Sequence, residues 1–467
     1  MRSARRGLVA AVLLAGAWAP CLAQDLRFDI AVDTLDNGLE VMVIEDHAVP
    51  AITWYTFFHV GSRNERPGRT GISHLFEHMM FNGAEKYGPG EFDRALESRG
   101  GVSNAFTAED VTAYYDSFPS DALDLVADME ADRMAALRIT ADSLDKERGV
   151  VQEERRLRVD NDNQGAVFEL LNAVAYLAHP YGWPVIGWMA DLDAIGVDDC
   201  REYFRVHYAP NNATIIIAGD VTPERAFGLV RRAFAGIPKQ TRPAPVVADE
   251  PPQAGERRAV LRKAAQFPMV AVAWHVPGAG AGGADTDALD LIETLLGGGE
   301  SSRLQRVLVR ERQLASRVGV SNVYRVDPSL FLALAEARPG VAIGDLEAAL
   351  LEEIDALAQD GPAARELEKA RNVRTMTLLR SLKTSSGKAE QAGLHAIYFG
   401  TATRLFDAPQ RLAGVGAESI TRIARRVFRP ANRTVVTLIP EEPAGEQGGE
   451  SGEEPVPAGG GGKDGGR

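Results

Sequence analysis

Two histidines and an acid within five residues, His74-Leu75-Phe76-Glu77-His78, are the groups in this chain best suited to hold an ion and move a proton. Imidazoles four apart lie on one face of a helix, so both can reach a single metal. Glu77 follows His74 by three residues and directly precedes His78, which puts a carboxylate beside the same position. The order H-x-x-E-H reverses the H-E-x-x-H zinc motif and keeps its three groups. By this chain's composition such a pentamer arises by chance in about one percent of sequences of this length. Its surroundings must therefore carry part of the reading. The apolar residues around it predict a helix that ends at Gly83.

A catalytic zinc site needs three protein ligands and an open position for water. The segment Asp142–Arg158 (DSLDKERGVVQEERRLR) predicts a second helix, acids early and arginines late. Within it Glu147 and Glu154 are seven apart and share a face, whereas Glu153 points about 100° away. Spacing alone leaves any one of these acids on a solvated face, so the third ligand stays open on this evidence.

The elements that must position these groups come in two sets. At 467 residues, 45% apolar and 25% charged, the chain is a soluble globular protein of two or more domains. Phe58-His59-Val60-Gly61 is echoed by Trp274-His275-Val276-Pro277, and Gly101-Val102-Ser103-Asn104 recurs at Gly319-Val320-Ser321-Asn322. Tyr208–Thr214 (YAPNNAT) resembles Phe428–Thr434 (FRPANRT). Three anchors in one order indicate a duplication. The Pro-rich run beginning at Ile237 separates the copies. The expected division is residues 24–236, a linker at 237–258, a second copy at 259–440, and a disordered acidic Gly-rich tail at 441–467.

Each copy reads as strands (Leu39–Glu45 and Ala51–Val60 in the first), a helix, a strand pair, several amphipathic helices and a closing strand (Ala213–Ala218; Arg433–Ile439). That order predicts an α+β fold: two duplicated α/β domains, each a mainly antiparallel sheet packed with helices, with the metal site in the first. The duplication also tests the motif. His74 maps to Asp290, Glu77 to Glu293 and His78 to Thr294, so the second copy keeps the apolar pattern without the imidazoles. Core packing does not require them.

Residues 1–23 read as a secretory signal, with Arg2, Arg5 and Arg6, an apolar run Gly7–Trp18, and cleavage after Ala23. Pro20 makes Cys21 a poor lipid-attachment site. The expected location is outside the cytoplasm, in a bacterial periplasm or secreted. Cleavage removes three arginines and no acid, moving the net charge from −14 to −17. That balance excludes nucleic acid as a partner, and no span of the mature chain is apolar enough to cross a membrane. Only Cys200 remains, so an intramolecular disulfide is excluded.

Several stretches together carry a family resemblance: HLFEH running into EHMMFNG, GGVSNAFT, KERGVVQEE, HPYGWPVIG and YAPNNATIIIAGD. In this order and spacing they resemble the pitrilysin–insulinase–mitochondrial processing peptidase family over nearly the whole mature chain. The resemblance implies one zinc ion held by His74, His78 and Glu154, with Glu77 as general base and Glu147 as a supporting acid. It implies peptide or unfolded-protein substrates pairing with an edge strand at Asn104 and Ala105. The other histidines (47, 59, 179, 207, 275, 395) have no partner at ligand spacing.

One departure stands out. Many active members of that family use an arginine and a tyrosine from the second half, or from a partner subunit. Arg310 matches the arginine, but Ser316 occupies the tyrosine slot, and Tyr324 lies well beyond it. The expectation is a homologous partner subunit or a homodimer that completes the site. The competing readings are a non-catalytic binding protein on the same fold and a metal-dependent esterase.

Overall fold

The computed structural model describes residues 27–441, so the expected signal segment and the tail beyond Glu441 lie outside the described residues. Six strands form the first sheet: β1 (Ala31–Thr34), β2 (Glu40–Glu45), β3 (Ala51–Phe58), β4 (Val102–Thr107), β5 (Thr112–Pro119) and β6 (Ala213–Gly219). Their order is β1-β2-β6-β3-β5-β4, which leaves β4 on the edge. The second sheet contains β7 (Arg257–Lys263), β8 (Met269–Val276), β9 (Ala315–Asn322), β10 (Ser329–Ala337) and β11 (Arg433–Pro440), in the order β7-β11-β8-β10-β9. Without β1, the two orders superimpose strand for strand. Each sheet is antiparallel except for one pair, β2/β6 and β7/β11. The repeated GVSN segment reaches the edge strand in both.

Both faces of the central strands are covered, which explains their unbroken apolar runs. On β3, Trp54 and Phe58 face the helices of the first half, while Tyr55 and Phe57 face the other way. What covers that outer face is the second half's helix Ser385–Phe399, through Ala389 and Ala392. The exchange is reciprocal. The first half's helix Asn163–Ala175 lays Val167, Leu171 and Ala175 on the outer face of the second sheet, against Ala271, Ala273 and Leu330.

The halves also meet at one repeated turn. Glu109, between β4 and β5, ion-pairs with Arg325, which lies in the corresponding connection between β9 and β10. Asp110 accepts from the Val326 N–H (3.0 Å) and from Tyr181 Oη (2.7 Å). Arg325 is buried between the rings of Tyr176 and Tyr181. This self-apposition is what a two-fold relation between duplicated halves produces.

Local boundaries differ from expectation for physical reasons. The motif helix is Ile72–Met79, shorter than read, because the chain tightens after it and turns at Gly83 (φ +90°). The acid-bearing helix runs Ala141–Arg155 and passes into one π-turn, Arg156–Asp160. The Pro-rich run has no helix or strand, and β7 begins at Arg257. That run is tied down: the Glu250 carboxylate accepts the backbone N–H groups of Leu177, Ala178 and His179 at 2.9–3.1 Å.

Candidate metal centre

The motif helix is clamped at its start. Gly71 caps it at φ +88°, and a Cβ there would sit 2.6 Å from the Ile186 carbonyl oxygen, so this position requires glycine. No side chain of the cap residue serves the free N–H groups. Glu65 does so instead, accepting from Gly71 N and Ser73 N at 2.8 Å each. Burial pushes the Glu65 carboxyl up to about 8 against the pull of those donors. Tyr203 and Ser73 share a hydroxyl hydrogen bond of 2.6 Å, and Tyr114 Oη donates to the Phe76 carbonyl at 3.1 Å.

The acid-bearing helix starts at Thr140, whose hydroxyl accepts the Ser143 N–H. Its buried face is Leu144, Glu147, Val151 and Arg155. Arg155 fixes the far end through Glu169 and the Gly187 carbonyl, both 2.8 Å away. These contacts aim Glu147 and Glu154 at the motif helix, while Glu153 points out and pairs with Arg156.

His74, His78 and Glu154 converge, each offering one ligand atom within 4.8 Å of the others. Glu154 Oε2 lies 3.5 Å from His74 Nε2 and 3.3 Å from His78 Nε2. Ligands about 2.0–2.1 Å from a tetrahedral zinc stand roughly 3.3 Å from one another. The donor set and its spacing therefore fit a zinc ion. Glu77 Oε2 is 3.9 Å from His74 Nε2, and Glu147 Oε2 faces His78 Nδ1 at 3.6 Å.

Electrostatics separate the two imidazoles. Burial, with His78 and Arg158 beside it, pushes His74 down to about 3, which keeps it neutral and able to ligate. Burial also pulls His78 down, but Glu147, Glu154 and Glu77 outweigh it and leave its pKa raised. Burial raises the Glu77 carboxyl, opposed by the neighbouring Thr107 hydroxyl and His78. For Glu147 burial is outweighed by His78, Asn82 and Lys146, and the net shift is downward.

Beside the cluster lies a cleft of about 320 Å³, with His74, Glu154 and Thr107 at one end and Phe168, Trp183 and Ile186 along its wall. A larger cavity of about 710 Å³ sits behind the motif helix, at Glu65, Tyr203 and His207, and contains none of the cluster. Asn104 and Ala105 stand on β4, paired on one side to Tyr115 and Tyr114 of β5, with the other side at the sheet edge. Arg310 is half exposed and pairs with Glu300 on the second half, and it does not line the cleft beside the cluster. Tyr324 is committed to Asp290 at 2.5 Å.

Sequence reasoning missed three groups. Arg158 Nη1 bonds Glu154 Oε1 at 2.9 Å, and its four-residue spacing from Glu154 was a usable signal. Glu65 and Thr107 had none, because their partners are distant in sequence. The remaining histidines serve elsewhere; His179 pairs with Asp327, and His47 bridges Glu45 and Asp220.

The second half shows what replaces an ion. Asp290 and Glu293, at the positions of His74 and Glu77, are bridged by the Arg374 guanidinium at 3.2 and 3.5 Å. A side-chain cation from the corresponding helix neutralises acids there, and no imidazole is present to ligate.

Residues 40–187 match the family model described as insulinase (peptidase family M16), and residues 194–374 match that of the peptidase M16 inactive domain. The chain is 32% identical over 414 residues to the zinc protease PqqE of Helicobacter pylori, covering 87% of this chain and 92% of that one. It is 27% identical to a probable mitochondrial-processing peptidase subunit beta of Arabidopsis thaliana, covering 88% and 78%. The crystal structure of a protease from Helicobacter pylori superimposes with a TM-score of 0.85 at 30% identity, covering 89% and 100%. The two-sheet α+β fold of this chain is shared with that crystal structure over 89% of its length. The chain belongs to peptidase family M16, the insulinase family.

Proposed function

We propose that this chain is a zinc metalloendopeptidase acting on peptides or unfolded segments outside the cytoplasm. The observation that carries the reading is the pair of ligand-to-ligand distances, 3.3 and 3.5 Å, between Glu154 and the two imidazoles. His74, His78 and Glu154 would hold a zinc ion, which would supply a water acidified to near neutrality and an electrophile for the scissile carbonyl. Glu77 accepts the water proton and passes it to the departing amine, worth about 10²–10⁴ in rate. Glu147 holds the His78 ring in its ligating orientation. The extended substrate adds to the free edge of β4 at Asn104 and Ala105, and backbone pairing gives affinity with little sequence selectivity. Phe168, Trp183 and Ile186 receive an apolar side chain beside the scissile bond.

Residues 1–23 direct export and are removed after Ala23. Among the described residues no helix is long and apolar enough to cross a membrane. With Tyr324 bound to Asp290 and Arg310 paired on the surface, we assign the substrate-holding arginine–tyrosine function to a contact between chains. Arg310 would then serve a neighbouring subunit's cleft.

The test is hydrolysis of a mixed unstructured peptide pool by the zinc-loaded mature chain. Cleavage is expected, and Glu77→Gln should keep zinc but lose turnover. A Glu77→Gln variant that cleaves at the wild-type rate overturns the mechanism. Full activity of the pure chain at concentrations where it is monomeric removes the need for a second subunit.

A further inference from the structure

The cleft beside the ligand cluster has one basic residue along its lining among the described residues, and that residue is unusually placed. Arg158 follows Glu154 by one helical turn. Its Nη1 bonds Glu154 Oε1 at 2.9 Å, whereas Oε2 of the same carboxylate faces the two imidazoles. One carboxylate group thus separates the guanidinium from the cluster. The side chain is 75% exposed, and its remaining nitrogens bond to nothing among the described residues.

The acids that share the cleft are already committed. Glu109 pairs with Arg325, Glu169 with Arg155, and Glu154 with the cluster. The backbone presenting Arg158 is also built. It lies in the π-turn Arg156–Asp160, and a Cβ on Gly165 would fall 2.0 Å from the Arg158 carbonyl oxygen, so glycine lets the turn close against the next helix. A π-turn next to a ligand-bearing helix is a usual mark of a functional position.

We propose that Arg158 is a specificity residue of the reaction argued above, selecting peptides that carry a carboxylate one or two residues beyond the scissile bond on the leaving side. An extended peptide advances about 3.3 Å per residue, and the guanidinium touches Glu154 of the cluster directly, at 2.9 Å. A planar fork with free donors suits a carboxylate in two-point contact. The carboxylate has two sources, an acidic side chain or a free C-terminus. This inference rests on the peptidase reading.

The experiment measures kcat/KM of the zinc-loaded mature chain on matched peptides. One pair carries Glu or Gln at the second residue past the scissile bond, with the C-terminus amidated and distant. The other ends at that residue as a free acid or an amide. In the wild type one acidic member is expected to be favoured about five- to tenfold, the modest size reflecting solvent exposure. The ratio should fall to about one in Arg158→Met and survive in Arg158→Lys. Because each ratio is taken within one variant, any general loss from a disturbed Glu154 cancels. The favoured pair identifies the source. Equal cleavage of both members of both pairs by the wild type overturns the proposal, as does a preference retained in Arg158→Met. Failure of the wild type to cleave any peptide overturns the peptidase reading and this inference with it.

Discussion

Gly393 and Gly149 both sit in helices, yet Gly→Ala should move stability in opposite directions at the two positions. At Gly393 the second half's helix Ser385–Phe399 lies directly on the first sheet. An added Cβ would fall 2.2 Å from Phe57 Cε2 and 2.4 Å from Cζ. Carbon atoms prefer about 3.5–4.0 Å, so helix and ring must separate by roughly 1.3 Å or more. Phe57 cannot yield cheaply, being fully buried and stacked on Tyr55 at 5.2 Å between centroids. Overpacking of this kind costs about 1–3 kcal/mol, and Ala returns about 1 kcal/mol of helix propensity. The net expectation for Gly393→Ala is a loss of up to about 2 kcal/mol. Gly149 is exposed and a Cβ there meets nothing within 4 Å. Gly149→Ala should therefore gain about 0.5–1 kcal/mol. Urea denaturation of both variants beside the wild type, at fixed zinc, reads the two shifts. A Gly393→Ala midpoint at or above wild type would show that the helix does not rest on the sheet as described.

Further predictions follow from single contacts. Glu147→Gln should weaken zinc binding by about 10–100-fold, read by competition with a chromophoric chelator, since it removes the charge facing His78 Nδ1. Arg325→Met should destabilise the protein by about 3 kcal/mol by leaving Glu109 without its buried partner; thermal unfolding checks it, and an unchanged midpoint contradicts the two-fold contact. His207 and His395 are both pushed down to about 4 by burial. A folded pKa below the unfolded value near 6.5 means their contribution is intact above pH 6.5 and lost as pH falls through 4. The metal-free chain should lose up to about 3 kcal/mol per histidine across that window, and His207→Phe should make the decline in urea midpoint shallower.

Much of the architecture was legible because the chain states it twice. The offset of the GVSN segments and the closing strands foretold two sheets of one topology, and the reversed histidine motif foretold the cluster. The resemblance supplied Glu154, which helical spacing had only placed on a face with Glu147. What could not be read were groups whose meaning lies far away in sequence. Glu65 becomes a helix cap only when the chain folds back on Gly71. Arg325 matters because its own duplicate turn opposes it. The Pro-rich run reads as an inter-domain linker, yet Glu250 within it collects three backbone donors. Arg310 could be aligned to a pattern that Tyr324 lies beyond, but their side-chain commitments to Glu300 and Asp290 exist only in three dimensions.

The reciprocal exchange of helices sets a clock on the making of this protein. The first sheet has all its strands once Gly219 is synthesised, but the helix that covers its outer face ends at Phe399, about 180 residues later. At 5–20 residues per second that face stays uncovered for roughly 10–35 s. During that interval Tyr55, Phe57 and Ile216, buried in the finished molecule, have only water or another chain to meet. Neither half should persist when produced alone, and unfolding should take both sheets together in one cooperative step.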